Sequence, residues 1–123
     1  MNIDFIKGII VPILTPIDEN ENIDEKKLRM MVDHVIGGGV HGILAYGSNG
    51  EFYGVEEKEM ERGLKIIVDQ ADRRVPVYMG IGSIRRNRQS VLRGWPGRWE
   101  RTGFRCYSPC LLNQMMTSCM IIL

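Results

Sequence analysis

The 123-residue sequence is short of cysteine, of long apolar runs and, beyond Lys65, of any lysine at all. Its three cysteines (Cys106, Cys110 and Cys119) cannot all pair, which argues against a disulfide framework and for a reducing compartment. No apolar stretch reaches the roughly 18 residues of a membrane span, so no membrane association is expected. The opening Met1-Asn2-Ile3-Asp4 has neither a basic start nor a long apolar stretch, so a cytoplasmic location is expected rather than secretion. No G-x-G-x-x-G or Walker pattern stands between a strand and a helix, which removes the usual dinucleotide and nucleoside triphosphate sites. His34 and His41 have no histidine or carboxylate at a metal-like spacing, so no metal and no cofactor is expected. The net charge of +1 argues against a dedicated nucleic-acid binder. Repeats and low-complexity tracts are also missing.

What is present is ordinary for one globular domain: 44% hydrophobic, 25% charged, mean hydropathy −0.13. The near-neutral total conceals a split. Residues 1–84 carry five lysines and four arginines against fourteen acidic residues, whereas residues 85–123 carry seven arginines and a single acid, Glu100. Trp95, Trp99 and every cysteine fall in the second block. A break that sharp marks a domain edge, a tail or a different origin of the sequence.

The first block alternates strand and helix signals. Ile9-Ile10-Val11 is a short β-branched run closed by Pro12 and Thr15-Pro16. Asp24 suits an N-cap, and Ile23, Leu28, Met31, Val32, Val35 and Ile36 follow helical spacing. Gly37-Gly38-Gly39 ends that helix, because glycine tolerates the left-handed conformation beyond a C-cap. Gly42-Ile43-Leu44-Ala45 is a second strand. A second helix is expected from about Glu56 to Ala71, with Met60, Leu64, Ile67 and Val68 on its apolar face and Glu56, Glu57 and Glu59 offsetting the dipole of its first turns. Val75 to Ile81 reads as a third strand. Short, continuously apolar strands alternating with longer helices indicate a parallel sheet buried on both faces. Periodicity leaves a (β/α)8 barrel and a doubly wound sheet both open.

Gly47-Ser48-Asn49-Gly50-Glu51 follows the second strand, at the sheet edge where parallel α/β folds bind ligands. Successive amides of a glycine-rich turn make a nest for a carboxylate or phosphate, and the Ser48 hydroxyl can donate and accept. A plain connecting turn is the alternative. Arg85-Arg86-Asn87-Arg88 is either a solvated loop or a phosphate contact.

Three markers, in order, resemble the N-terminal part of the dihydrodipicolinate synthase / N-acetylneuraminate lyase family of pyruvate-dependent class I aldolases. They are Gly8 to Pro16 with its Thr-Pro ending, the Gly47-Ser48-Asn49-Gly50-Glu51 loop with Val55 and Glu59 behind it, and Arg74 to Ser83. The resemblance implies an α/β fold: a partial (β/α)8 TIM barrel of about the first three β/α units over residues 1–84, then an irregular, poorly packed basic tail over 85–123. It implies a Schiff-base lyase or synthase acting on pyruvate or another 2-oxo acid, a homo-oligomer for the intact enzyme, and no cofactor. Ser48 is the implied proton relay; the Ser48 and Asn49 amides, with Gly47 and Gly50 shaping the turn, are the implied carboxylate site. Dihydrodipicolinate synthases usually carry two threonines here, so Ser48-Asn49 stands closer to lyases and aldolases for hydroxy-oxo or sugar acids. Ile17 replaces the family's common phenylalanine. The Schiff-base lysine of a later strand has no counterpart, and Tyr107 lies outside any family motif, so this chain is expected to be inactive alone.

The tail also suits an out-of-frame translation from about residue 90. Joining each codon's third base to the next codon's first two turns Trp95-Pro96 into Ala and Trp99-Glu100 into Gly. In the same register, Gly94 to Phe104 allows Met-Ala-Gly-Glu-Met-Gly-Ala-Asp-Gly-Val, which resembles the family's next helix and strand entry. Three β/α units with such a tail leave an unpaired sheet edge, so an unstable, aggregating or partner-dependent chain is expected. Two rival readings are a small β/α binding module whose basic tail contacts RNA or an acidic protein, and a self-associating structural fragment.

Overall fold

The three short apolar runs become three parallel strands: β1 (Ile10–Pro12), β2 (Gly42–Ala45) and β3 (Val77–Gly80). Parallel neighbours need a crossover, and the helices α1 (Glu25–Gly37) and α2 (Glu57–Ala71) supply it in the order β1-α1-β2-α2-β3. The computed structural model describes residues 8–80 and the backbone of a further strand, β4 (Met120–Ile122). Ile81 to Ser83, Arg85-Arg86-Asn87-Arg88, Trp95, Trp99, Tyr107 and the three cysteines lie outside the described residues. Sheet order is β1-β2-β3-β4, with Val11 opposite Ile43 and Leu44 opposite Tyr78.

The helix ends follow local chemistry. Asp24 caps α1 by accepting the Lys27 amide at 3.0 Å. At the other end the Gly38 amide reaches the carbonyls of His34 and Val35, and Gly39 takes the left-handed conformation (φ 81°). Glu56 precedes α2 without a side-chain cap bond, and Glu57 and Glu59 face the positive end of its dipole. Asp72 and Arg73, both left-handed, end α2 where the sequence offers no glycine.

One core joins the helices to one face of the sheet. Leu28 and Val32 of α1 and Met60, Leu64, Ile66, Ile67 and Ala71 of α2 pack with Ile43, Ala45, Val77 and Met79. Strand alternation sends the intervening Tyr78 to the other face, where it is buried with its ring near Gly42 and Ile10. Along β1, Ile9 accepts from the His41 amide and Ile13 donates to the Leu44 carbonyl. Odd-numbered residues therefore turn their backbone to β2, and Pro12, with no N–H to give, faces the outer edge. The first strand includes Pro12, and the third begins at Val77, after Pro76, rather than at Val75.

Of the closing residues only β4 is described: it pairs antiparallel with β3, placing Ile121 opposite Met79 and Met120 opposite Gly80. Apolar, β-branched residues are apt for strand addition, and the outer side of β3 offers a row of otherwise unpaired donors and acceptors. Among the described residues the edge of β3 is thus paired, while that of β1 is not.

Candidate functional site

β2 ends at Ala45 and the chain turns on Tyr46, a bulky residue held at φ 53°, where L side chains rarely sit. The next five residues wind as consecutive tight turns. The Gly50 amide donates to the Gly47 carbonyl and the Glu51 amide to the Ser48 carbonyl, each at 3.1 Å, and the Gly54 amide reaches the Glu51 carbonyl at 2.8 Å. Such a turn leaves its leading amides without internal acceptors. Those of Ser48 and Asn49 donate to nothing among the described residues, and both residues are exposed. Gly47 is half-buried and Gly50 buried. All four residues named from the sequence therefore share one turn at the C-terminal end of β2.

Neighbouring strand ends fix the backbone of this turn. A methyl group on Gly50 would stand 3.1 Å from the Ile13 carbonyl oxygen and 3.0 Å from the Tyr46 nitrogen. One on Gly80 would overlap the Tyr46 carbonyl and come within 3.3 Å of the Gly47 nitrogen. Only glycine lets the ends of β1 and β3 approach so closely. The Thr15 hydroxyl, just past β1, donates to the Gly50 carbonyl at 2.7 Å.

Tyr46 lies on the other side of this geometry. Its side chain is 2% exposed, and its hydroxyl sits beside Gly63 of α2 with no partner among the described residues. Burial, reinforced by the negative Glu59, pushes its pKa far above the ordinary tyrosine range. It remains a neutral, structural phenol at physiological pH.

A cleft of about 510 Å³ opens between the β1–α1 connection and residues 51–59, with Thr15, Ile17, Asn22, Glu51, Glu56 and Glu59 on its walls. Ser48 and Asn49 do not line it. Glu59 does more than face the dipole: its Oε2 accepts the Ile23 amide at 3.0 Å, while Arg62 binds the Ile23 carbonyl at 3.2 Å. His34 is exposed on α1, and His41 accepts the Ile9 amide through Nδ1 at 3.1 Å. Among the described residues no three His, Cys, Asp or Glu side chains gather closely enough for a metal ion, and no helix is long and apolar enough to cross a membrane. The sequence reading missed Thr15 and Tyr46 as parts of this site. A hydroxyl in the Thr-Pro exit of a strand was the available signal for the first; the second had none beyond an aromatic directly before Gly47.

The chain is similar to known proteins. The model of the Dihydrodipicolinate synthetase family matches residues 5–108. The chain is 47% identical over 77 residues to a 4-hydroxy-tetrahydrodipicolinate synthase of Trichlorobacter lovleyi and 43% identical over 77 residues to that of Geotalea daltonii, in each case covering 63% of this chain and 26% of the relative. It thus spans about a quarter of the length of these curated relatives. Among solved structures, YagE, a prophage protein belonging to the dihydrodipicolinic acid synthase family from E. coli K12, determined in complex with pyruvate, superposes with a TM-score of 0.69 at 28% identity, over 80% of this chain and 32% of that one. An N-acetylneuraminate lyase from Mycoplasma synoviae superposes with a TM-score of 0.69 at 23% identity, over 80% of this chain and 34% of that one, which shows the shared fold. These neighbours are TIM-barrel proteins, of which this chain covers the N-terminal part. Matched by the family model over most of its length, the chain belongs to the dihydrodipicolinate synthetase family.

Proposed function

We propose that this chain forms the carboxylate-binding corner of a pyruvate-dependent lyase or synthase. The observation that carries the reading is that the amides of the exposed residues Ser48 and Asn49, at the C-terminal end of a parallel strand, have no partner among the described residues, in a family whose solved members include complexes with pyruvate. Two successive amides at the start of one turn suit the two oxygens of a carboxylate. The Ser48 hydroxyl, beside them in sequence, is the group we assign to passing a proton to or from the substrate in an intact enzyme that also supplies the amine. Gly47 and Gly50 serve by leaving room for a ligand and for the strand ends.

Carbon–carbon bond chemistry on pyruvate by this route needs an amine that attacks the carbonyl, loses water and becomes an imine. No lysine follows Lys65 in the sequence. Lys65 stands on α2, its side chain 62% exposed and paired with Glu61 at 3.4 Å. The other described lysines, Lys26, Lys27 and Lys58, also stand on helices. We therefore assign this chain binding without catalysis. Borohydride treatment with pyruvate, followed by intact-mass analysis, should leave the chain unmodified. A reduced pyruvate adduct on any lysine would overturn the inactive assignment.

We also propose that residues from about 90 onward derive from a shifted reading frame, which the change from −5 over residues 1–84 to +6 over 85–123 supports. The coding DNA decides it. A family-like peptide is expected in the shifted frame, and its absence would end the idea.

A further inference from the structure

We propose that Thr15 is a positioning residue: its hydroxyl latches the peptide between Gly50 and Glu51 and thereby holds the Ser48 and Asn49 amides in their binding orientation. The inference rests on the reading of that turn as a carboxylate site. The latch joins residues 35 positions apart, from the exit of β1 to the turn after β2, and is partly buried. Gly50 is held at both ends, its N–H by the Gly47 carbonyl and its C=O by Thr15, while the N–H of the same Gly50–Glu51 peptide reaches the Ser48 carbonyl.

That peptide is under tension. Glu51 sits at φ 51°, a region a residue with a Cβ rarely adopts. Rotating the Gly50–Glu51 peptide plane would relieve Glu51, because the change falls on the ψ of Gly50, which glycine accommodates, and on the φ of Glu51. The same rotation would carry the Glu51 N–H away from the Ser48 carbonyl and unwind the turn whose leading amides face the ligand. Thr15 opposes it by gripping the carbonyl that would have to swing. Pro16 supports the grip, since a residue preceding proline is biased to extended backbone.

The test is hydrogen exchange by mass spectrometry on the full chain, with pyruvate as the probe. In the wild type, pyruvate is expected to slow exchange of the peptide spanning residues 46–55. Thr15→Val keeps the shape and drops the hydroxyl. It is expected to raise the pyruvate concentration for half-maximal protection about fivefold and to speed pyruvate-free exchange of that peptide, with peptides from α1 and α2 unchanged. Thr15→Ser should behave as wild type. Glu51→Gly removes the tension, so in that background the effect of Thr15→Val should shrink. Identical pyruvate dependence in wild type and Thr15→Val would overturn the inference, as would a folded Thr15→Ser that behaves like Thr15→Val. If Thr15→Val fails to fold, Thr15→Ser decides: wild-type pyruvate protection supports the latch, and lost protection overturns it. Should pyruvate leave wild-type exchange unaltered, the carboxylate reading falls, and the pyruvate-free rates still decide the latch. Faster exchange of residues 46–55 alone in Thr15→Val then supports it, and unchanged exchange refutes it.

Discussion

Gly63 stands in the middle of α2, where alanine would be favoured by about 1 kcal/mol on helix propensity alone. A Cβ there would overlap the Tyr46 hydroxyl and press on the Cδ1 of Ile23 at 2.5 Å. Overpacking of that kind costs about 1–3 kcal/mol, so Gly63→Ala is expected to lower the urea midpoint despite its better propensity. Tyr46→Phe removes a buried hydroxyl that has no partner among the described residues and should raise the midpoint, through a stability gain of about 1 kcal/mol. In the double variant the two effects should be non-additive, with Gly63→Ala better tolerated. From the sequence, Met60, Leu64 and Ile67 were legible as an apolar face because helical period alone places them. The reason for Gly63 was not legible there, because it lies in a tyrosine from a different turn. Thr15 was legible as a strand exit and opaque as a latch for the same cause: its acceptor is 35 residues away.

The two helices are fastened by a polar seam as well as by the core. Arg29 of α1 binds Glu25 of its own helix and, across the seam, Asp69 at 2.7 Å and Gln70 at 3.0 Å. Gln70 donates to Asp33 at 2.6 Å, and Arg74 pairs with the same carboxylate. Exposed pairs contribute little singly, and more as a network of good geometry. The Arg74 guanidinium holds the Asp33 carboxyl below the usual carboxylate range, and the Lys27 amide does the same for the Asp24 cap. A carboxyl whose folded pKa is depressed adds stability above its unfolded value, near pH 4, and loses it as pH falls through the folded value. The urea midpoint should therefore be nearly flat from neutral pH to about pH 5 and fall below about pH 4. Asp33→Asn should remove part of that acid dependence, and an unchanged pH profile in this variant would count against the seam. At this scale the elements themselves were legible. Asp24, the glycine run after α1 and the apolar periods lie within a few residues of what they control. The cross-helix partners were not, because a charge on one helix face carries no mark of the face it meets.

For the molecule as a whole, the parallel sheet followed from short apolar strands alternating with helices, and the spatial order of its strands did not; β4 was illegible, since nothing in an apolar tripeptide names its partner strand. Among the described residues the helices pack on one face of the sheet and one edge of it is paired, and the chain spans about a quarter of its curated relatives. Around β1, Ile9, Leu14 and Ile17 are exposed by 64%, 58% and 52%. An apolar fringe beside an open strand favours association, so the isolated chain is expected to elute on sizing chromatography as concentration-dependent species larger than a monomer. Leu14→Asp should shift elution toward the monomer. A monomeric wild type with a sharp, concentration-independent thermal transition would refute this expectation.

Pro12 limits what such association becomes. A sheet lengthens indefinitely only where each arriving strand meets an unbroken rail of alternating donors and acceptors. On the outer side of β1 that rail lacks a rung at the strand's C-terminal end, where the pyrrolidine ring stands in place of an N–H. Copies that meet along this side find greasy contact without a complete template, so their clusters are expected to stay small and reversible instead of seeding fibres.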